Sequence, residues 1–149
     1  MFIRYFVLCF ALGLLWLPPV AANPEPYAGL IKNTSGDVRI ERGDTSIPAQ
    51  VGEPVQSGDR IRVVGKGSVG ISMRDETLLS LGPDSVLVID NYRYDPKTRD
   101  GQVETSILKG TLRYVSGLIA RHRPEAIRVN TPSATMGIRG TDFIVEVRG

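Results

Sequence analysis

The chain has 149 residues, with 18 Lys and Arg against 16 Asp and Glu, one His and one Cys. That length suits one domain with its own core, and the near balance of charge leaves no electrostatic footprint for nucleic acid. A lone cysteine excludes an internal disulfide framework, so stability has to come from burial and backbone hydrogen bonding.

Arg4 is the only charge in the first 22 residues. An apolar stretch from Tyr5 to Leu17 follows, then Pro18-Pro19 and the small residues Val20-Ala21-Ala22. A short charged start, an apolar run, helix-breaking prolines and small residues at the −3 and −1 positions read as a secretory signal peptide cleaved after Ala22. An uncleaved anchor is the weaker reading, because the run before Pro18 is shorter than the roughly 20 apolar residues of a span. Cys9 lies inside the apolar run behind Leu8, where lipidation would need a small residue. The expected organisation is a signal peptide over residues 1–22, an N-terminal leader over 23–35 and one β domain over 36–149. Its expected location is periplasmic or secreted, with no transmembrane span after cleavage.

From Gly36 onward the apolar period is two. Val38 and Ile40 alternate with Arg39 and Glu41; Val69, Ile71 and Met73 with Gly70 and Ser72; Leu79 and Leu81 flank Ser80; Phe143, Val145 and Val147 flank Ile144 and Glu146. Such alternation gives each strand one buried and one wet face. The breaks are Arg42-Gly43-Asp44, Ser57-Gly58-Asp59, Gly65-Lys66-Gly67, Gly82-Pro83-Asp84, Asp100-Gly101 and Lys109-Gly110. Only Ser116 to Arg121 offers a short helical turn. The expected fold is all-β: many short, mainly antiparallel strands in a sandwich, roll or short solenoid-like stack.

Motifs that suggest chemistry fail on context. Gly65-Lys66-Gly67-Ser68-Val69-Gly70 fits a nucleotide-binding pattern, but Ile71-Ser72-Met73 continues as a strand where a helix is required, and the glycines suit a hairpin. Lys97 and Arg99 occupy the alternate positions that a calcium loop at Asp95–Gly101 would need for oxygen ligands. His122 is the only histidine and lies between Arg121 and Arg123, so neither a zinc site nor a catalytic triad assembles around it. Arg121, His122, Arg123 and Arg128 form the one basic cluster, read as a solvated loop. Asn33-Thr34-Ser35 fits a glycosylation acceptor, a three-residue pattern to which no role is assigned. No enzyme, metal or cofactor is expected. Tyr92 and Tyr94, two apart on one strand, together with Tyr114 leave open a flat aromatic platform for sugar.

The stretch Ile127 to Phe143 sets two apolar runs around Pro132, Gly137 and Gly140, and reads as strand, turn, strand, turn, strand. Within it Arg139 is expected to pair with a carboxylate or carbonyls at a strand crossing, with Gly140 permitting a bend and Thr141 capping the turn. Contact with a ligand or partner is the alternative. The order Thr131-Pro132 followed by Ala134-Thr135-Met136-Gly137-Ile138-Arg139-Gly140-Thr141 resembles the end of the FecR domain family. Val38–Gly43, Val55–Ile61, Leu79–Ser85 and Leu108–Tyr114 add collinear landmarks, so that the likeness spans Gly36 to Val147. The resemblance implies an all-β extracytoplasmic module in which Thr131, Pro132, Gly137, Arg139, Gly140 and Thr141 form a structural family motif. Name-giving members couple an outer-membrane iron-siderophore transporter to a sigma factor through an N-terminal anti-sigma segment and a membrane span. The 22 residues before the expected cleavage site leave no room for that segment. The expected role is therefore a binding, scaffolding or sensing module of the cell envelope, with an envelope protein as partner. A peptidoglycan or other cell-wall glycan is the alternative ligand. N-terminal sequencing of protein recovered from the periplasm should begin at Asn23; Met1 retained in membranes would overturn the export reading.

Overall fold

The computed structural model describes residues 27–149. The signal peptide and the start of the expected leader, residues 1–26, lie outside the described residues. Strands take 61% and helix 7% of the described chain, which fixes the class as all-β. One sheet holds ten strands: β1 (Gly29–Arg42), β2 (Thr45–Pro48), β3 (Pro54–Val55), β4 (Arg60–Met73), β5 (Leu78–Leu81), β6 (Val86–Tyr94), β7 (Gly101–Val115), β8 (Ile127–Asn130), β9 (Thr135–Gly137) and β10 (Asp142–Val147). It curls toward a barrel-like closure, nearest to the roll among the expected architectures.

Two long strands organise it. β4 pairs with β1, β5 and β6, while β7 pairs with β5, β6, β8 and β10. All pairs are antiparallel except β7 with β8. Parallel neighbours need a crossover. The chain supplies it with α1 (Leu118–His122) and a 3₁₀ turn (Pro124–Ala126), the helical turn expected near Ser116–Arg121.

The period-two reading holds where the sheet covers one core. Val38, Ile40, Ile61, Val69, Ile71, Leu79, Leu81, Leu87, Ile89, Ile107 and Leu112 are all buried. Phe143, Val145 and Val147 face this core while Ile144 and Glu146 face out.

Three boundaries differ from expectation. The first strand begins at Gly29, seven residues ahead of the expected domain start: Ala28 and Ile31 enter the core, the Ala28 N–H donates to the Val55 carbonyl of β3, and Ile31 pairs with Ile71 of β4. Gly65-Lys66-Gly67 is not a hairpin tip; β4 runs through it. Gly65 at φ 62° and Gly36 at φ 75° buckle the two paired strands, and the β1–β4 register shifts between Ser35 and Asp37. This is a bulge, which bends a strand without ending it. Lys109-Gly110 likewise bends β7 and does not interrupt it.

Ile71 and Leu81 lie in the centre of this sheet, 1% and 2% exposed. Their replacement by Ala should lower unfolding free energy by about 2–5 kcal/mol in chemical denaturation, with a β-dominated circular dichroism spectrum retained.

Candidate functional site

The C-terminal stretch forms a compact turn and an open strand. Between β8 and β9 the Thr131 N–H donates to the Ala134 carbonyl at 2.7 Å, and the Ala134 N–H returns a bond to Thr131 Oγ1 at 3.0 Å. Pro132 occupies this tight loop, so Thr131 and Pro132 serve the turn. At the entry to β10, Gly140 has φ 117°, a left-handed backbone that favours glycine. Ser116 holds that bend: its N–H donates to the Thr141 carbonyl at 2.8 Å and its hydroxyl to the Gly140 carbonyl at 3.2 Å. Thr141 therefore acts through its backbone, not as a side-chain cap. Gly137 is exposed, and a Cβ there would meet nothing within 4 Å.

The Ser116–Thr141 bond sets the phase of the β7–β10 ladder. Antiparallel partners alternate between pairs that exchange hydrogen bonds and pairs that do not. With Val115 opposite Asp142 and Tyr114 opposite Phe143, it is Phe143, Val145 and Val147 that bond to β7. Asp142, Ile144 and Glu146 turn their N–H and C=O groups away from it. No strand pairs with that side among the described residues. The Ile144 side chain is 67% exposed, and Tyr114 stacks on Phe143 with ring centroids 5.1 Å apart, pinning the strand from within.

Arg139 departs from expectation. It is exposed, and none of the side-chain hydrogen bonds or ion pairs among the described residues involves it. The loop carrying it swings outward, with Ile138 alone turned in. Arg139 instead borders an open hollow of about 790 Å³ with Pro124, Glu125, Gly137, Ile138 and Gly140. Beside it a smaller hollow of about 190 Å³ shares Pro124, Ile138 and Gly140 and is bordered by Arg121.

Buried polar groups elsewhere account for the other sequence landmarks. The fully buried Asp59 carboxylate receives Arg42 Nε and Nη2, each at 2.8 Å, and the Gln56 N–H at 2.8 Å. Arg42 also reaches the Pro54 carbonyl at 3.1 Å. This fork locks the β1–β2 turn onto the Ser57-Gly58-Asp59 turn. The family model for the FecR protein matches residues 59–149, starting at this buried aspartate and covering more than half of the chain. The chain belongs to the FecR family. No curated protein and no solved structure matches it.

A second enclosed acid, Asp75, follows β4. In this FecR chain Asp75 is fully buried and accepts from Thr77 Oγ1 at 2.8 Å and from the Tyr92 hydroxyl at 3.0 Å. Its own N–H donates to that hydroxyl at 2.9 Å, and its carbonyl takes the Leu118 N–H at 2.7 Å. Gly117 passes so close that a Cβ there would strike the Asp75 carbonyl and the Thr77 nitrogen. Short polar residues spaced as Asp75-Glu76-Thr77 signal a turn, but burial comes from strands far along the chain. Among the described residues no three His, Cys, Asp or Glu side chains gather to hold a metal ion. None of the side-chain hydrogen bonds orients His122.

The tyrosines do not form a platform. Tyr92 and Tyr94 share a face that packs against the core, and Tyr114 is fully buried. Burial first, and then the negative charge of Asp75, push both the Tyr92 and Tyr114 phenols well above their usual 10.0. Thr77 acts weakly the other way on Tyr114. A phenol whose pKa is raised by folding contributes stability that is intact below about pH 10 and lost as the unfolded chain ionises above it. Unfolding free energy should therefore fall above about pH 10. Tyrosinate absorbance should show a late-titrating fraction that shrinks in Tyr92→Phe.

Proposed function

We propose that this FecR domain works as a non-enzymatic binding module of the cell envelope and takes a partner protein along the outer edge of β10. FecR domains are envelope sensing and regulatory modules, and that membership supports the setting. The observation that carries the edge reading is the outward row of backbone groups at Asp142, Ile144 and Glu146, with Ile144 exposed in its middle. Unpaired N–H and C=O groups along an edge are a template for strand addition: main-chain bonds supply affinity, and alternate side chains supply choice. No helix among the described residues is long and apolar enough to cross a membrane.

The cell-wall glycan reading loses its main support, since the tyrosines that would have stacked on sugar pack inward. A relay of iron-siderophore signals would be one use of the same edge and rests on the family alone.

Capture from envelope extract, compared with binding to purified peptidoglycan, tests the proposal. Ile144→Pro removes an outward N–H and leaves the bonds to β7 in place, a position where edge strands tolerate proline. It should abolish capture of the protein partner after correction for folded fraction. Arg139→Ala should leave the melting temperature within about 2 °C, given a surface change of under roughly 0.5 kcal/mol, and should weaken capture less. Unchanged capture by a folded Ile144→Pro variant, or binding to peptidoglycan alone, would overturn the reading.

A further inference from the structure

The β10 edge has an uneven charge. Asp142 is neutralised by Arg113, whose Nε and Nη2 lie 3.1 and 2.6 Å from its two oxygens. Glu146 is held by Arg148 at 3.0 Å. The apolar Ile144 stands between these satisfied acids. At the Gly140 end the balance changes. Arg139 and Arg121 have no acidic partner among the described residues. Glu125, which shares the larger hollow with Arg139, is already engaged by Arg123 at 3.3 Å. Two cations thus border adjoining hollows floored by Ile138, immediately before the first outward-facing group of β10.

A strand laid on this edge advances about 3.3 Å per residue, and every second side chain shares a face. A residue set against Ile144 is followed two residues on by one opposite Asp142, and four residues on, roughly 13 Å away, by one that reaches past the start of β10 to the Gly140 bend. Gly140 and Arg139 are chain neighbours lining one hollow, which leaves that position within the span of the exposed Arg139 side chain. An acid there gains a charge-assisted bond; an apolar or basic residue leaves the guanidinium unmatched.

We propose that the occupant of the β10 edge is an antiparallel acidic strand of a partner protein. It places an apolar residue against Ile144 and, four residues toward its C-terminus, a carboxylate on Arg139. This rests on the edge reading above and adds the partner's chemistry. Antiparallel pairing is chosen because it is the commoner arrangement and the one in which β10 already engages β7.

The test uses a fluorescently labelled, end-blocked peptide, Thr-Val-Thr-Ile-Thr-Val-Thr-Glu-Thr, and its counterpart with Gln in place of Glu. Anisotropy titration of the full chain should show the Glu peptide binding about tenfold more tightly than the Gln peptide. Arg139→Gln should bring the two to equal affinity. Ile144→Pro should lose both, and Ile144→Lys, which keeps every backbone bond, guards against a proline variant that fails to fold. Equal binding of the two peptides by the native chain, with loss in the Ile144 variants, would leave the edge reading standing and overturn the acidic partner. Binding of neither peptide also overturns it, with the edge itself judged by the capture experiment. Concentration-dependent self-association abolished by Ile144→Lys would assign the edge to a second copy of the chain and overturn it as well.

Discussion

One four-residue turn, Gly82 to Ser85, holds both long strands at the places where they bend. On one side the Asp84 N–H donates to the Gly65 carbonyl at 2.9 Å, and the Asp84 carboxylate accepts the Gly65 N–H at 3.0 Å. On the other, Ser85 Oγ accepts the Thr111 N–H at 2.9 Å, and the Gly82 N–H reaches the Thr111 carbonyl at 3.1 Å. Gly110, at φ 85°, lies so close that any Cβ would strike the Ser85 side chain. The bend matters because the halves of β7 serve different neighbours: β6 and β8 along the first, β5 and β10 along the second. The bend falls where β7 passes from one pair of neighbours to the other.

The sequence was most legible where a local rule decides the structure. Alternation located the core faces of β1, β4, β5 and β10, and Arg42-Gly43-Asp44 and Gly82-Pro83-Asp84 announced real turns. Glycine was the ambiguous sign. At Gly43 it closes a hairpin, while at Gly65 and Gly110 the same positive φ bends a continuing strand. What separates the cases is a partner strand tens of residues away, which no local window contains. Arg139 misled for a related reason. The bend permitted by Gly140 suggested a paired arginine at a strand crossing, yet only Ile138 turns in, and the arginine lies outside.

The two buried acids show how specificity is built where no disulfide is present. Asp59 and Asp75 are each enclosed completely, a placement tolerated only when lone pairs are matched by donors. Asp59 finds them in an arginine fork and a main-chain amide, Asp75 in a hydroxyl and a phenol. Apolar faces allow a strand to slide by two residues at modest cost. A carboxylate that must meet particular donors does not, and these acids therefore fix register for the loops that bracket β4.

The alternating phase of β10 also gives the strand a built-in record of occupancy. Amides of Phe143 and Val145 are tied to β7, whereas those of Ile144 and Glu146 look into solvent. In hydrogen–deuterium exchange the free strand would carry fast and slow sites in strict alternation. A neighbour that pairs in register slows only the fast ones. A ligand seated on the side-chain face would leave that rhythm intact, so the spacing of newly protected amides reports how a partner sits.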